Sequence, residues 1–326
     1  VATALPAIAD AVAWSPLGAV WAVPADIAAG EPLRALAELG IAVATLVVLV
    51  ALWRWGLARA LERPAQASTA RSVRRGAGLF GVFPGTPWGA VAARALTYWL
   101  RDPRYAQTLL VVPLIPVLFV FWGSTNGNWA LLAWMGPIMS ILLAMSIYTD
   151  VSYDHTAFAL HLQSGVAGTA DRVGRVVALA VFAVPAAVVL TIVGIAFADA
   201  WSMLPGMLGI TLGVLLTGFA VSSVVSGAFV FPVPAPGENP FKSRPGGGFQ
   251  LLLSNTVCWL VVAVLVLPEL VLAIIGFVSG DPLWGVLSIV VGVALGGALL
   301  VVGVRLGGRI LDRRAPDLLA ALQRQR

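Results

Sequence analysis

The side chains best suited to chemistry are concentrated in one polar segment, 149–175, which contains both histidines of the chain. His155 and His161 are six positions apart, and neither this spacing nor the neighbouring residues match a metal site, so we interpret them as solvated loop side chains. Intramembrane serine proteolysis needs a serine and a histidine together within the bilayer, whereas both histidines lie in this loop. We therefore expect no metal site and no catalytic residues in this chain.

Lys242 and Cys258 are the other candidates, and each is isolated. Lys242 is the only lysine and does not follow a G-x-x-x-x-G phosphate loop, while 246–248 lack the strand-to-helix context of such a site. Cys258 is the only cysteine and lies in an apolar run, which favours a packing role. These observations predict that the chain is not an enzyme and carries no cofactor itself.

The composition indicates a lipid environment. Hydrophobic residues make up 60% of the chain and charged residues 11%, against about a quarter charged in an ordinary soluble domain. A chain of 326 residues with so few charges cannot cover a water-facing surface. Its basic residues fall in short segments between apolar runs, which is typical of one face of a membrane protein and not of a nucleic-acid-binding surface.

Seven apolar stretches approach the length that a helix needs to cross a hydrocarbon core of about 30 Å. They are 39–58, 106–122, 129–149, 175–198, 205–231, 251–277 and 284–306. The second is short, and Pro113 and Pro116 predict a kink within it. The predicted fold is an all-α, polytopic transmembrane helix bundle of about seven spans.

The basic residues fall on one side of these spans. With the N-terminus outside, the segments 54–105, 149–175, 232–250 and 305–326 hold 19 of the 20 Lys and Arg residues and leave Arg34 outside. Positive residues accumulate in the cytoplasmic loops of membrane proteins. The asymmetry predicts a multi-pass cell-membrane protein whose N-terminus in this chain is outside and whose C-terminus is cytoplasmic.

The predicted spans carry no ionisable residue near their centres, since Glu269 lies toward the outer end of its span and Arg54 toward the inner end of the first. Ion-coupled transporters keep such groups near the midplane despite their cost. This pattern disfavours an ion-driven secondary transporter. A membrane-embedded enzyme or assembly factor is disfavoured because no catalytic cluster converges, and both stay open as alternatives.

Glycines recur at helix-packing spacing in two spans, Gly209 with Gly213 and Gly292 with Gly296. Small residues four apart let helix backbones approach closely within a bilayer. They predict close packing between helices of the bundle. The alternative is that they form a moving interface between two subunits of a dimer.

Residues 88–102 predict an amphipathic helix on the basic side. Trp99 and other apolar residues recur at helical spacing, while Arg94 and Arg101 lie on another face. Such a helix lies in the inner membrane interface, and Asp102–Pro103 ends it.

Two connections on the same side are longer than a simple turn. The segment 149–175 contains a short apolar helical stretch, 157–162, and a loop of this length with its own helix usually contacts another molecule or domain. The segment 232–250 is too rich in Pro and Gly for a helix, so we expect a loop there.

Three stretches together resemble the permease subunit of type-2 ABC exporters, especially the long actinobacterial antibiotic and multidrug exporter permeases. ARALTYWLRDPRY (93–105) resembles the interfacial elbow helix of that family. YDHTAFALHLQSGVAGTADRVGR (153–175) resembles the loop that carries its coupling helix, and the ENPF and GGG elements within 238–248 resemble its later cytoplasmic loop. Residues 1–58, with SPLGAVW at 15–21, resemble the end of a preceding transmembrane half.

The resemblance implies a domain order, and the sequence departs from the family pattern at two positions. The implied parts are an outer loop and last helix of a preceding half (1–63), a cytoplasmic linker with the elbow helix (64–105), a complete six-helix half (106–308) and a cytoplasmic tail (309–326). The chain would then be the C-terminal part of a two-half permease. Ser15–Pro16 stands where Asn-Pro is commoner, and His155 stands where glycine is expected.

The resemblance also implies a motor on a separate chain. An ABC ATPase subunit, as a dimer, would bind ATP and Mg²⁺ and dock on the coupling helix. The permease would then export a small apolar or amphiphilic compound through the lipid bilayer, as in multidrug efflux and antibiotic resistance. The implied coupling residues are Asp154, His155, Phe158, Leu160, His161, Arg172 and Arg175. The implied elbow residues are Arg94, Trp99, Arg101, Asp102 and Arg104.

Overall fold

The structure is a computed structural model that describes residues 9–10, 12–16, 18–62, 78–155, 157–235, 238 and 247–324. The elements in these ranges are helices, which confirms the predicted all-α class. The chain divides into two compact units, Val1–Gly76 and Ala77–Arg326.

The first unit contains α1 (Ala19–Ala28) and α2 (Pro32–Glu62), with Gly30 in the left-handed region, φ +78°, in the turn between them. α2 is apolar over most of its length and long enough to cross a membrane. The apolar helix predicted at 39–58 is confirmed as part of this longer helix.

The second unit begins with α3 (Pro87–Arg101), whose N-terminus is capped by Thr86 through a hydrogen bond from a backbone N–H at 3.3 Å. Asp102 ends α3 in an extended conformation and caps the next helix, α4 (Pro103–Leu109), by accepting a hydrogen bond from the N–H of Arg104 at 2.9 Å. The predicted helix at 88–102 is therefore present and ends where the sequence indicates.

α5 (Val111–Asn126) continues from α4 after an interruption at Leu110. Pro113 has no N–H to donate to the carbonyl of Leu109, and its ring crowds that carbonyl. The interruption falls where the prolines predict a kink, and α4 and α5 together form one apolar helix of crossing length.

The next apolar helix is short. A 3₁₀ segment, Trp129–Trp134, leads into α6 (Met135–Met145), and together they are shorter than the helices of the unit that are long enough to cross a membrane. The predicted span at 129–149 is therefore a helix below crossing length. Two short helices follow, α7 (Asp150–Asp154) and α8 (Ala157–Gln163), and α8 confirms the predicted helical stretch at 157–162.

α9 (Gly168–Ala198) and α10 (Leu204–Ala228) form an apolar hairpin joined through the 3₁₀ segment Trp201–Met203. Asp199 ends α9 with φ +51°, a conformation that Asp tolerates better than most residues. Both helices are long enough to cross a membrane.

α11 (Gly247–Leu265) and α12 (Leu267–Ser279) form one apolar stretch that bends by 57° at Val266. Pro268 is in the first turn of α12, where its missing N–H and its ring interrupt the hydrogen-bond ladder of α11. The sequence predicts a single span at 251–277, and the structure breaks it. α11 also starts inside the predicted loop 232–250, so the end of that loop prediction is wrong.

α13 (Pro282–Arg324) is a single helix of 43 residues. At 1.5 Å per residue it is about 65 Å long, roughly twice the thickness of a hydrocarbon core. It continues through most of the predicted tail, 309–326, because Leu311, Leu318 and Leu322 form a buried apolar stripe.

Among the described residues, five helices are long and apolar enough to cross a membrane, and the bent α11–α12 pair brings the number to six. Several apolar helices of this length indicate a membrane protein. Length and composition thus support six of the seven predicted spans.

α10 lies at the centre of the second unit, in contact with α6, α9, α12 and most extensively α13. Gly209 and Gly292 face each other across the α10–α13 contact, and a Cβ atom on Gly292 would collide with the carbonyl oxygen of Gly209. Gly213 and Gly296 also lie in close contacts between helices of this one chain. The four glycines therefore lie at close helix contacts within the second unit.

Candidate functional site

A buried charge cluster lies where α3, α7, α8, α9 and α10 meet. We define the charge cluster as Arg94, Asp150, Asp154, His161, Asp171, Arg172 and Arg175. Its members are buried except for Arg94, whose side chain is 23% exposed.

Asp171 is the centre of the charge cluster. It lies in the first turn of α9, where the helix N-terminus favours a negative charge, and its side chain is fully enclosed. Its carboxylate accepts a hydrogen bond from Nε of Arg172 at 3.0 Å and another from Nε of Arg175 at 3.0 Å. His161 Nε2 lies 3.4 Å from the other carboxylate oxygen. One helix therefore supplies an acid and both of its arginine partners.

Arg175 joins α9 to α7. Its guanidinium donates to the carboxylate of Asp154, and its Nη1 lies 3.7 Å from Oδ2 of Asp150. Asp150 and Asp154 are four residues apart and therefore share one face of α7. A single arginine shared by three carboxylates fixes the position of α7 relative to α9.

Arg94 brings α3 into the same arrangement. Its Nη2 lies 3.6 Å from Asp154 Oδ2 and 3.7 Å from Asp171 Oδ1. The apolar face of α3 packs on α9, where Trp99 is buried in a core cluster with Leu179. The amphipathic helix predicted from the sequence therefore buries its apolar face largely on protein.

Arg172 and His161 extend the charge cluster to two more helices. Arg172 donates through Nη1 to the hydroxyl of Ser226 on α10. His161 is on α8, and burial lowers the pKa of its ring, an effect that Asp171 partly opposes. The ring is therefore neutral at neutral pH.

When Asp150 is ionised the formal charges of the cluster balance, because three aspartates face three arginines and the histidine is neutral. Burying unpaired charges costs several kcal/mol each, so the pairing is what lets these groups stay inside the protein. Asp150 is the least compensated, since Arg175 is 3.7 Å away and Oδ1 has no hydrogen-bond partner. Burial raises the pKa of Asp150 to about 7, although Arg175 and Arg172 oppose the shift.

A second set of contacts holds the segment that follows α10. Arg104 pairs with Asp102 at 2.7 Å and donates through Nη1 to the carbonyl of Pro234 at 3.1 Å. His155 Nε2 lies 3.2 Å from the same carbonyl oxygen. Both histidines are buried, so the prediction of solvated loop side chains is wrong for His155 and for His161.

The backbone at His155 has a positive φ. His155 has φ +43° and ψ −123°, a region that glycine adopts far more readily than other residues. The turn between α7 and α8 therefore has a conformation that favours glycine, although the chain has histidine there.

α8 has one anchored face and one exposed face. Phe158 has no exposed area and packs against Val151 of α7 and against Leu311 and Leu318 of α13. Leu160, by contrast, is 68% exposed, and the exposed surface continues through 163–165. The helix is thus attached to the bundle and presents an outward surface.

The structure brings together four of the residues predicted for docking: Asp154, His161, Arg172 and Arg175. They form the interior of the charge cluster, and Leu160 is the one member of the predicted set that is exposed. Of the predicted elbow residues, Arg94 joins the charge cluster, Trp99 and Arg104 are buried, Asp102 caps α4, and Arg101 is exposed.

Sequence reasoning missed Asp150, Asp171 and Ser226. A signal for the acids exists, since Asp150 and Asp154 are four residues apart, as are Asp171 and Arg175, and residues four apart share a helix face. Ser226 gives no such signal, because it meets Arg172 only through the packing of α10 on α9.

Within the described part of the chain, no group of three or more His, Cys, Asp or Glu side chains is arranged to hold a metal ion. Most of the 238–248 stretch and Leu17 lie outside the described residues. Comparison of the chain with protein-family models, with curated proteins and with solved structures finds no match.

Proposed function

We propose that this chain is the membrane-spanning permease of an ATP-driven exporter. A separate ABC ATPase subunit, acting as a dimer with ATP and Mg²⁺, supplies the energy, and the bundle moves an apolar or amphiphilic compound out of the cell by alternating access. The observation that carries this proposal is α8, which is anchored on one side through Phe158 and His161 and exposed on the other at Leu160.

The charge cluster explains how movement of α8 would reach the bundle. A partner that pushes on Leu160 moves α8, and α8 is connected through His161 to Asp171 on α9. Asp171 is bonded to Arg172 and Arg175, which reach α10 and α7. Buried ion pairs hold such elements together as one body, so a small displacement is transmitted instead of being absorbed.

The topology follows from the same proposal. The end of the bundle that carries the charge cluster is cytoplasmic, and the N-terminus of this chain is outside. α3 is the elbow helix, with Leu100 and Arg101 exposed toward the membrane interface. A bilayer can thin locally around a short helix, so in this topology the apolar helix Trp129–Met145 is a shorter seventh span. Residues 1–63 belong to a preceding transmembrane half.

An apolar cavity supports an apolar or amphiphilic cargo. It has a volume of about 330 Å³ and is lined by side chains of α10, α11 and α13, among them Val225, Val257 and Val302. Binding sites for small molecules are concave and mostly apolar, with volumes of about 300–1,000 Å³. A compound with a hydrophobic body fits this lining better than a highly charged one.

An ion-driven secondary transporter is the second candidate. Glu269 is an ionisable side chain buried inside the bundle. Ionisable groups within the bundle are typical of ion-coupled transporters, so this residue favours the second candidate. The two candidates differ in their energy source and are therefore separable by experiment.

The test uses the full chain, gently solubilised from its native membrane, and inside-out vesicles of the same membrane. We expect an ATPase with a Walker motif to copurify with the chain, and vesicle uptake of an amphiphilic cationic dye to require ATP. Leu160→Glu should abolish both copurification and uptake, because it places a charge on the docking surface. Ala320→Glu adds the same charge at an exposed position of α13 and should leave both unchanged. Uptake driven by a proton gradient without ATP would instead support the second candidate.

A further inference from the structure

Glu269 is a buried acid with no partner. Its side chain has no exposed area, and neither carboxylate oxygen has a hydrogen-bond partner. It is in the first turn of α12, directly after the 57° bend at Val266.

The carboxyl group of Glu269 packs against the middle of an apolar helix. It lies directly on Gly213, where a Cβ atom would collide with Oε1. Gly213 is near the centre of the apolar helix Trp201–Ala228, which is long enough to cross a membrane. From Trp201 the distance along the helix axis to Gly213 is about 18 Å. The carboxyl group is therefore well inside the apolar stretch of this helix.

No charged side chain compensates Glu269 within the described helices that pack against α12. The segment Trp201–Met203 and the helix α10 contain no Asp, Glu, Lys, Arg or His, and the same is true of α11. Cys258 is the only titratable side chain of α11. On α13 the nearest charged residue is Arg305, about 26 Å along the helix from Ser288, which contacts the start of α12.

Thr217, one helical turn from Gly213, has a buried hydroxyl, and no hydrogen bond joins it to the carboxyl group of Glu269. The hydroxyl of Ser288 donates to the backbone carbonyl of Glu269 at 2.9 Å. Oε1 lies against the backbone of Gly213, and among the described residues no group of three or more His, Cys, Asp or Glu side chains could hold a metal ion. A proton needs no further ligands.

An ionised carboxylate without a partner in hydrocarbon is too costly to persist, so the group is neutral or is accompanied by a cation. We propose that Glu269 is an intramembrane proton-binding site: it holds a proton while the α11–α12 bend is packed against α10 and α13, and it releases the proton when this bend opens to water. An ATP-driven export cycle does not require such a group, so this inference goes beyond the proposed function.

The bend gives the site a second consequence. Leu265, at the end of α11, lines the apolar cavity, and Glu269 is one helical turn further along the chain. Movement at Val266 would therefore change the wall of the cavity and the environment of Glu269 together.

Infrared difference spectroscopy tests the proposal on the purified full chain in lipid nanodiscs, without nucleotide or partner. The chain is labelled with ¹³C-glutamate, so that glutamic acid bands are separated from those of buried aspartates such as Asp150. In mildly alkaline buffer we expect a ¹³C-shifted carbonyl band of a protonated carboxyl group. Glu269→Gln should remove this band.

Glu31→Gln is the control, because Glu31 is exposed, and it should leave the band unchanged. If Glu269→Gln does not fold, Glu269→Asp replaces it, and the ¹³C-shifted band should then disappear while an aspartic acid band appears. Absence of the band in the unmodified chain, or its persistence in both Glu269 variants, overturns the proposal. Since the measurement needs no ATPase, its failure is distinguishable from failure of the proposed function.

Discussion

Replacing Asp171 by asparagine tests whether the charge cluster holds the second unit together. Asp171→Asn keeps the size and one acceptor oxygen of the side chain but removes its charge. At a pH above the pKa of Asp150, three arginines, Arg94, Arg172 and Arg175, then face only Asp150 and Asp154, which leaves one uncompensated positive charge in the charge cluster.

The expected cost follows from the contacts of Asp171. Removing one partner of a buried ion pair costs about 3–5 kcal/mol, because the other charge stays buried without compensation. Asp171 serves two arginines at hydrogen-bond distance and a third at 3.7 Å, and its side chain has no exposed area. We therefore expect a loss in the upper part of this range, about 4 kcal/mol.

The assay is reversible unfolding in mixed micelles, followed by tryptophan fluorescence. The exposed Asp317 supplies the matched control, since Asp317→Asn makes the same chemical change on the surface of α13 and should alter stability by less than about 0.5 kcal/mol. In the double variant Asp171→Asn, Arg172→Gln the charges balance again, so its loss should be smaller than the sum of the two single losses. A loss below about 1 kcal/mol for Asp171→Asn, equal to that of the control, would refute the assignment of a structural role to the charge cluster.

Two further predictions concern Asp150 and the glycines of the α10–α13 contact. Burial raises the pKa of Asp150 from 3.8 to about 7. The folded protein therefore gains stability from the neutral carboxyl group at a pH below 3.8, and it loses this stability as the pH rises to about 7. The unfolding free energy should fall over this pH range, and Asp150→Asn should remove most of that fall. In the same unfolding assay, Gly292→Ala should lower stability by about 1–3 kcal/mol, because the added Cβ collides with the carbonyl of Gly209. Gly297→Ala is the control: its Cβ meets no atom within 4 Å, so this variant should be neutral or stabilising. Equal effects of the two alanines would contradict the close helix contact.

The sequence predicts most helices because lipid-facing helices are long apolar runs whose ends are marked by proline, glycine and charge. It predicts α3 and its end at Asp102, and it predicts α8. It does not predict the bend at Val266. Pro268 is compatible with either a kinked helix or the first turn of a new helix, and the sequence alone does not distinguish the two.

The charge cluster shows where sequence reasoning ends. Arg172, Arg175 and Asp154 are recognised as candidates because they are polar residues in an unusual loop. Their burial is not predictable in the same way, because the pairing of Arg175 with Asp150 and of Arg172 with Ser226 depends on how α7, α9 and α10 pack. Glu269 is a similar case: its place in the chain suggests an outer position, but the bend carries its carboxyl group to the centre of α10.

α13 contacts both the surroundings of Glu269 and the surroundings of α8. It is one helix from Pro282 to Arg324, without a break at Pro316. Near one end Ser288 bonds the backbone beside the buried acid, and near the other Leu318 supports Phe158 under α8. These two points are about 45 Å apart along the helix axis. If the helix tilted as one body by about 5°, one point would move relative to the other by roughly 4 Å. Such a tilt would connect the surroundings of Glu269 to those of α8.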